Sequence, residues 1–298
     1  MRLEGIVVPL ITPLTERGVN EDAMATLVGT LLRAGVHGLF VGGTTGEGPL
    51  LSIEERRAAL RATRRAAGDR VPLVAAVGAI STDETRKLCD CAAEDGADGV
   101  VVMPPSFFAF NQSELRSHLE AILDYSALPV ALYDIPARTG NRLTIETVAA
   151  LMPHTRLVSI KDSSGNMGHF LRLLRVARPD VTVLMGDDAL ILPSITAGAH
   201  GAVSGLANIC PEVLVNLYGA IRDGNLAVAR RLQMQVITGQ DAILAESSIP
   251  ASLKAALAAR GLSAGDPKPP MAPLSPEARQ RLVAALRQAG LLESEAHT

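Results

Sequence analysis

LVSIKDSSGN, residues 157–166, is the stretch on which the reading of this chain turns. A short apolar run ends in Lys161 and gives way to Asp, Ser, Ser, Gly and Asn, a composition that makes turns. The run does not alternate polar and apolar residues, so it predicts a parallel strand buried on both faces. Moving outward, the same kind of run recurs at Ile6–Pro9, Gly38–Val41, Leu73–Val77, Gly99–Met103 and Val130–Tyr133. Beyond it lie Thr182–Met185 and Gly201–Ser204. Helical periodicity fills the intervals, as in EDAMATLVGTLLRAG, SIEERRAALRATRRAA and STDETRKLCDCAAEDG. Ser52 with Glu55 and Ser81 with Glu84 are spaced as capping boxes, and Gly35, Gly68 and Gly96 mark helix ends. Eight strands, each followed by a helix, predict an α/β fold of the (β/α)8 TIM-barrel type. A doubly wound open sheet is the competing architecture, but no G-x-G-x-x-G follows the first strand. After the eighth run only helical patterns remain, with the proline-rich connector GDPKPPMAPLSP before the last. The expected organisation is a barrel over residues 1–210 and a helical C-terminal extension over 211–298.

Bulk properties exclude several classes. At 298 residues and 48% hydrophobic, the chain has ample apolar material for one large core. Its net charge of −3 is spread without a basic stripe, so no nucleic-acid partner is expected. MRLEGIVVPLITPLTERG lacks the pattern of a signal peptide, and no apolar stretch has the length of a membrane span. A cytoplasmic protein without a membrane partner is therefore expected. Cys89, Cys91 and Cys210 are too few for a disulfide framework, and the first two face different ways on a helix. Histidines 37, 118, 154, 169, 200 and 297 are scattered, which favours packing or surface roles, and no metal site is expected.

Chemistry concentrates at strand ends. The chain has only four lysines (Lys87, Lys161, Lys254, Lys268) among its 28 basic residues. Lys161 stands where a barrel strand delivers its last side chain to the catalytic mouth. Burial disfavours an ammonium and so favours the free amine that attacks carbonyl carbon, chemistry closed to arginine. A lysine simply paired with Asp162 at a strand end is the other reading of the same residues. The loop GGTTGEGPL (residues 42–50) offers backbone N–H groups and two hydroxyls to an anion such as a carboxylate, although such loops also occur for steric reasons. Tyr133 ends the fifth run, where a phenol relays a proton or packs beneath a loop. Arg138, in a Pro/Gly loop, is either a carboxylate clamp or a solvated loop arginine.

Taken in order, GTTGE (43–47), YDIPARTG (133–140) and IKDSSGN (160–166) resemble the signature segments of the dihydrodipicolinate synthase / N-acetylneuraminate lyase family. MGDD (185–188), GAVSGLAN (201–208) and the ending SIPASLKAAL…KPPMAPLSPEARQRL resemble that family's later segments, so the similarity runs end to end. The resemblance implies a carbon–carbon lyase, a Schiff-base aldolase acting on pyruvate and an aldehyde with no metal or organic cofactor. Lys161 would form the imine and Tyr133 act as acid/base. Thr44 and Thr45 would hold the keto-acid carboxylate and link Tyr133 to solvent, with Gly43 also in the substrate-binding set. Arg138, Gly186 and Val203 would complete the substrate site. A homotetramer is also implied.

The same resemblance divides over the substrate. Synthases proper borrow a tyrosine from a neighbouring subunit, and the matching position in MPPSFFAFNQSEL is Phe107, which carries no hydroxyl. Arg138 nevertheless matches the arginine that binds aspartate semialdehyde in those enzymes. The expectation is an aldolase that cleaves or forms a 2-keto-3-deoxy sugar acid or 4-hydroxy-2-oxoglutarate. The alternative is 4-hydroxy-tetrahydrodipicolinate synthase with a rerouted proton relay. A non-catalytic keto-acid sensor is a third possibility, and an intact Lys161–Tyr133 pair argues against it.

Overall fold

The computed structural model describes residues 1–246 and 248–292; His297 lies outside them. Eight parallel strands close into a barrel: β1 (Gly5–Pro9), β2 (Gly38–Val41), β3 (Leu73–Ala76) and β4 (Gly99–Val102) form one half. β5 (Val130–Asp134), β6 (Leu157–Asp162), β7 (Thr182–Met185) and β8 (Gly201–Val203) form the other, and β8 pairs back onto β1. Each matches an expected run to within a residue at either end. Both faces of these strands are buried, which is why their sequences lack alternation. Val7, Phe40, Val74, Val101, Ala131 and Leu184 fill the barrel interior. Their neighbours Ile6, Val8, Leu39, Val100, Leu132 and Ile160 face outward against the helices.

Local signals act as expected with two exceptions. Ser52 and Glu55 exchange both bonds of a capping box, whereas Ser81 Oγ accepts from Glu84 N with no return bond from the Glu84 side chain. The segment read as a loop around Arg138 contains a helical turn, Pro136–Thr139. Pro136 supplies a preset φ at its first position, and Gly140, at φ 73°, ends it in the left-handed conformation. A short hairpin, Leu14–Thr15 with Gly18–Val19, follows β1 and is too brief to show periodicity in the sequence.

The barrel boundary expected at residue 210 moves. Helix Pro211–Arg222 follows β8, packs on β1 and on helix Ile191–Thr196, and so supplies the ring's eighth helical layer. The outer face of the β8–β1 seam is apolar and needs that cover. Among the described residues, three helices lie beyond the ring: Leu226–Leu244, Ile249–Ala259 and Pro276–Gln288. Among the described residues no single helix is long and apolar enough to cross a membrane.

Candidate active site

The register of two neighbouring strands builds the centre of the site. β5 and β6 run parallel with Tyr133 opposite Lys161 and Asp134 opposite Asp162. Successive side chains on a strand point to opposite faces, so Tyr133 and Lys161 turn into the barrel together while both aspartates turn out. Lys161 Nζ lies 3.9 Å from the centroid of the Tyr133 ring and 5.6 Å from that of Phe40. Lys161 is buried and, among the described residues, has no carboxylate within ion-pair distance. Asp162 instead accepts a hydrogen bond from Ser164 N at 2.8 Å, so alternation along the strand removes the reading of Lys161 as a strand-end ion pair.

These side chains open into a cavity of about 350 Å³ at the C-terminal mouth of the barrel. Thr44, Thr45, Tyr133, Arg138, Lys161, Gly186 and Val203 all line it. Gly43 is not a lining residue; it lies behind the threonines against the Phe40 ring, and its carbonyl accepts from Gly46 N and Gly48 N. The tight loop leaves no room at Gly48, where a Cβ would overlap the Gly42 carbonyl oxygen. Gly186 is constrained by the lysine itself: an added Cβ would overlap Ser163 Oγ and stand 2.8 Å from Lys161 Cε. Gly186→Ala should therefore displace the Lys161 side chain and lower the yield of borohydride-trapped pyruvate at least about tenfold, as small misplacements of reacting atoms do. Trapping at wild-type yield, read by intact-protein mass, would show that the lysine does not need this space.

Several lining residues were assigned no role from the sequence. Ser163, Asp187 and Asp188 come from the β6 and β7 loops, and Gln240, Ile243, Leu244 and Leu253 come from the helices beyond the ring. Asp187 is held by Ala189 N at 3.1 Å and by Gln240 Nε2 at 2.9 Å, a bond spanning 53 residues. Asp188, half-buried in the wall, is pushed up to about 6, chiefly by desolvation. The cysteines stand apart: burial raises the Cys89 thiol to about 12 and raises Cys210 further, which leaves both inert.

The loop that carries Thr44 and Thr45 is anchored from far along the chain. Glu47 is buried at a left-handed φ of 61°. Lys254 Nζ stands 2.7 Å from Glu47 Oε1 with both side chains almost fully buried. That oxygen lacks good hydrogen-bond geometry, so the contact is chiefly one of charge with charge. Glu47 Oε2 accepts from Lys268 N at 2.6 Å, and the Lys268 ammonium pairs with Glu55.

A buried lysine beside a tyrosine at the C-terminal mouth of a closed (β/α)8 barrel is an arrangement suited to attack on a carbonyl carbon. The sequence matches the model of the dihydrodipicolinate synthetase family over residues 2–289, and the chain belongs to that family. Its members are carbon–carbon lyases and synthases that act through a Schiff base, and this chain is an enzyme of that aldolase/lyase class. It is 36% identical over 289 residues to a 4-hydroxy-tetrahydrodipicolinate synthase of Exiguobacterium sp., covering 95% of this chain and 97% of that one. It is 38% identical over 291 residues to an uncharacterized DapA-like lyase of Halobacterium salinarum, covering 97% and 95%. Among solved structures, the YagE prophage protein of E. coli K12 in complex with pyruvate superposes with a TM-score of 0.93 at 31% identity, covering 97% of this chain and 99% of the other. Dihydrodipicolinate synthase from Aquifex aeolicus gives 0.92 at 29%, with the same coverage.

Proposed function

We propose that this protein is a pyruvate-dependent class I aldolase that cleaves or forms a 2-keto-3-deoxy sugar acid or 4-hydroxy-2-oxoglutarate through an imine on Lys161. The observation that carries the reading is the placement of Lys161 Nζ over the Tyr133 ring, at 3.9 Å, inside the cavity. The lysine amine adds to the keto carbon and water leaves, giving an iminium that draws electrons from the adjacent carbon. Tyr133, acting as the base, takes a C3 proton and leaves an enamine. Its carbon attacks the aldehyde, and Tyr133 delivers a proton to the alkoxide that forms. Hydrolysis then frees Lys161, and the reverse sequence cleaves the product. Thr44 and Thr45 hold the keto-acid carboxylate, with Thr44 connecting Tyr133 to solvent. Gly186 and Val203 border the reacting carbons. Neither a metal nor an organic cofactor takes part.

The outer cavity supports an aldehyde partner with polar substituents. Asp187, Asp188 and Gln240 accept or donate hydrogen bonds to hydroxyls, and Arg138 at the rim suits a terminal carboxylate. Phe107 bears no hydroxyl, is 84% exposed at φ 81° and stacks edge-on with Phe108. Such an aromatic pair fits burial against a second copy in a cytoplasmic homotetramer, where it contributes shape and no proton. The second reading, 4-hydroxy-tetrahydrodipicolinate synthase, is favoured by Arg138 and by the synthase relatives.

One assay separates the two. Pyruvate is held fixed with aspartate semialdehyde in one arm, and hydroxy-keto acids are followed for pyruvate release in another. Release from a keto-deoxy or hydroxy-oxo acid with little condensation is the expected outcome. Strong condensation with the semialdehyde would replace the aldolase by the synthase. Tyr133→Phe should slow turnover of the preferred substrate by about 10²-fold or more, and an unchanged kcat would remove the phenol from the proton path.

A further inference from the structure

The outward-facing partners of the catalytic pair form a second cluster. Asp134 and Asp162, each one residue beyond Tyr133 and Lys161, lie side by side on the outer face of β5 and β6. Each is 1% exposed. His169, from the first turn of helix Met167–Val176, is 8% exposed and reaches the same point. One ligand atom from each of the three lies within 4.8 Å of the others, and no other such trio of His, Cys, Asp or Glu donors converges among the described residues.

Two of these atoms are left without partners. Asp134 Oδ1 accepts from Leu143 N at 3.1 Å, but Asp134 Oδ2 and His169 Nε2 have no hydrogen bond. They face each other across 3.6 Å, beyond the 2.7–3.2 Å range of an N–H···O bond. That spacing is close to what one ion imposes on two ligands: metal–ligand bonds of about 2.1 Å at a tetrahedral angle separate their donors by roughly 3.4 Å. Other histidines bond through one ring nitrogen, although His118 Nε2 is likewise buried without a partner. His37 Nδ1 and His200 Nδ1 accept backbone N–H bonds from Ile6 and Val183, and His118 Nδ1 bonds with Thr82 Oγ1. Leaving two buried polar atoms unpaired costs about 1–3 kcal/mol each, so the cluster calls for an occupant.

We propose that Asp134, Asp162 and His169 bind a divalent transition-metal ion, with zinc the best fit, through three protein ligands and a water. Two carboxylates and a neutral imidazole balance the ion's charge, and the N/O donor set is one that zinc accepts. The backbones of β5 and β6 separate the ion from the cavity, so it has no contact with substrate. Its work is architectural: it ties two adjacent catalytic strand ends to the helix that follows.

The test uses the untagged full chain, dialysed against zinc sulfate and desalted, with zinc per chain measured by mass spectrometry. One equivalent is expected in the wild type. His169→Gln and Asp134→Asn, checked for folding by circular dichroism, should each bind zinc more than about 100-fold more weakly, beyond the loss seen when outer-sphere partners are removed. Chelation should lower the Tm of the wild type and leave both variants unmoved. Less than half an equivalent in the wild type, or equal zinc in a folded variant, would overturn the site. In that event a proton shared between the two carboxyl groups would be the occupant, and Asp134→Asn would keep its stability without zinc.

Discussion

Lys161→Ala, incubated with pyruvate and borohydride, should gain no mass, while the wild type gains one reduced pyruvate adduct per chain. Turnover should fall by about 10⁴-fold or more, the scale of losing a covalent nucleophile. The reason is not only that Lys161 lines the cavity; no other amine is placed to replace it. Lys254 is buried against Glu47, Lys268 is paired with Glu55, and Lys87 lies exposed on helix Thr82–Glu94. Lys161→Arg should be equally inactive, since a guanidinium does not deprotonate to attack carbon. An adduct at wild-type yield in either variant would show that the nucleophile is elsewhere.

Lys254→Met should be the most destabilising single change outside the core. Removing one member of a buried ion pair strands the other charge, at a cost of about 3–5 kcal/mol. Here the stranded group is Glu47, already held at a left-handed φ of 61° that costs a non-glycine residue about 1 kcal/mol more. Lys254 itself is driven toward neutrality by desolvation and kept charged by Glu47, so each group depends on the other. Urea midpoints should show the double variant Glu47→Gln/Lys254→Met to be more stable than Lys254→Met alone. A single-variant loss below about 1 kcal/mol would mean that water reaches the pair and screens it. Because Glu47 closes the loop of Thr44 and Thr45, any Lys254→Met protein that folds should also show a raised KM for pyruvate with a smaller change in kcat.

How much of this was legible depends on how local the signal is. The eight strands could be read because burial on both faces writes continuous apolar runs bounded by glycine and proline. Lys161 could be read because a rare residue type interrupted an apolar strand, and Tyr133 because it ended the neighbouring one. The side-by-side placement of the two residues follows from register, which strand sequences specify only jointly. Gln240 and Leu253 were not legible: each sits in a helix whose periodicity shows that a face is buried but not what it covers. The Asp134–Asp162–His169 cluster was hidden for a related reason. Its members are spread over 36 residues and meet only because two strands align and a helix folds back on them. Gly43 is the reverse case: its motif suggested contact with substrate, and it instead serves the turn that presents its neighbours.

The helices beyond the ring give the molecule a division of labour. The pairing of Tyr133 with Lys161 depends on strand ends, where a shift of one residue would exchange them for two outward-facing aspartates. The outer wall of the cavity comes partly from Gln240, Ile243, Leu244 and Leu253, on helices free of that register. Mutation can therefore reshape which aldehyde fits while the reacting centre is inherited intact. A library confined to those four positions would explore new partners for pyruvate without rebuilding the catalyst.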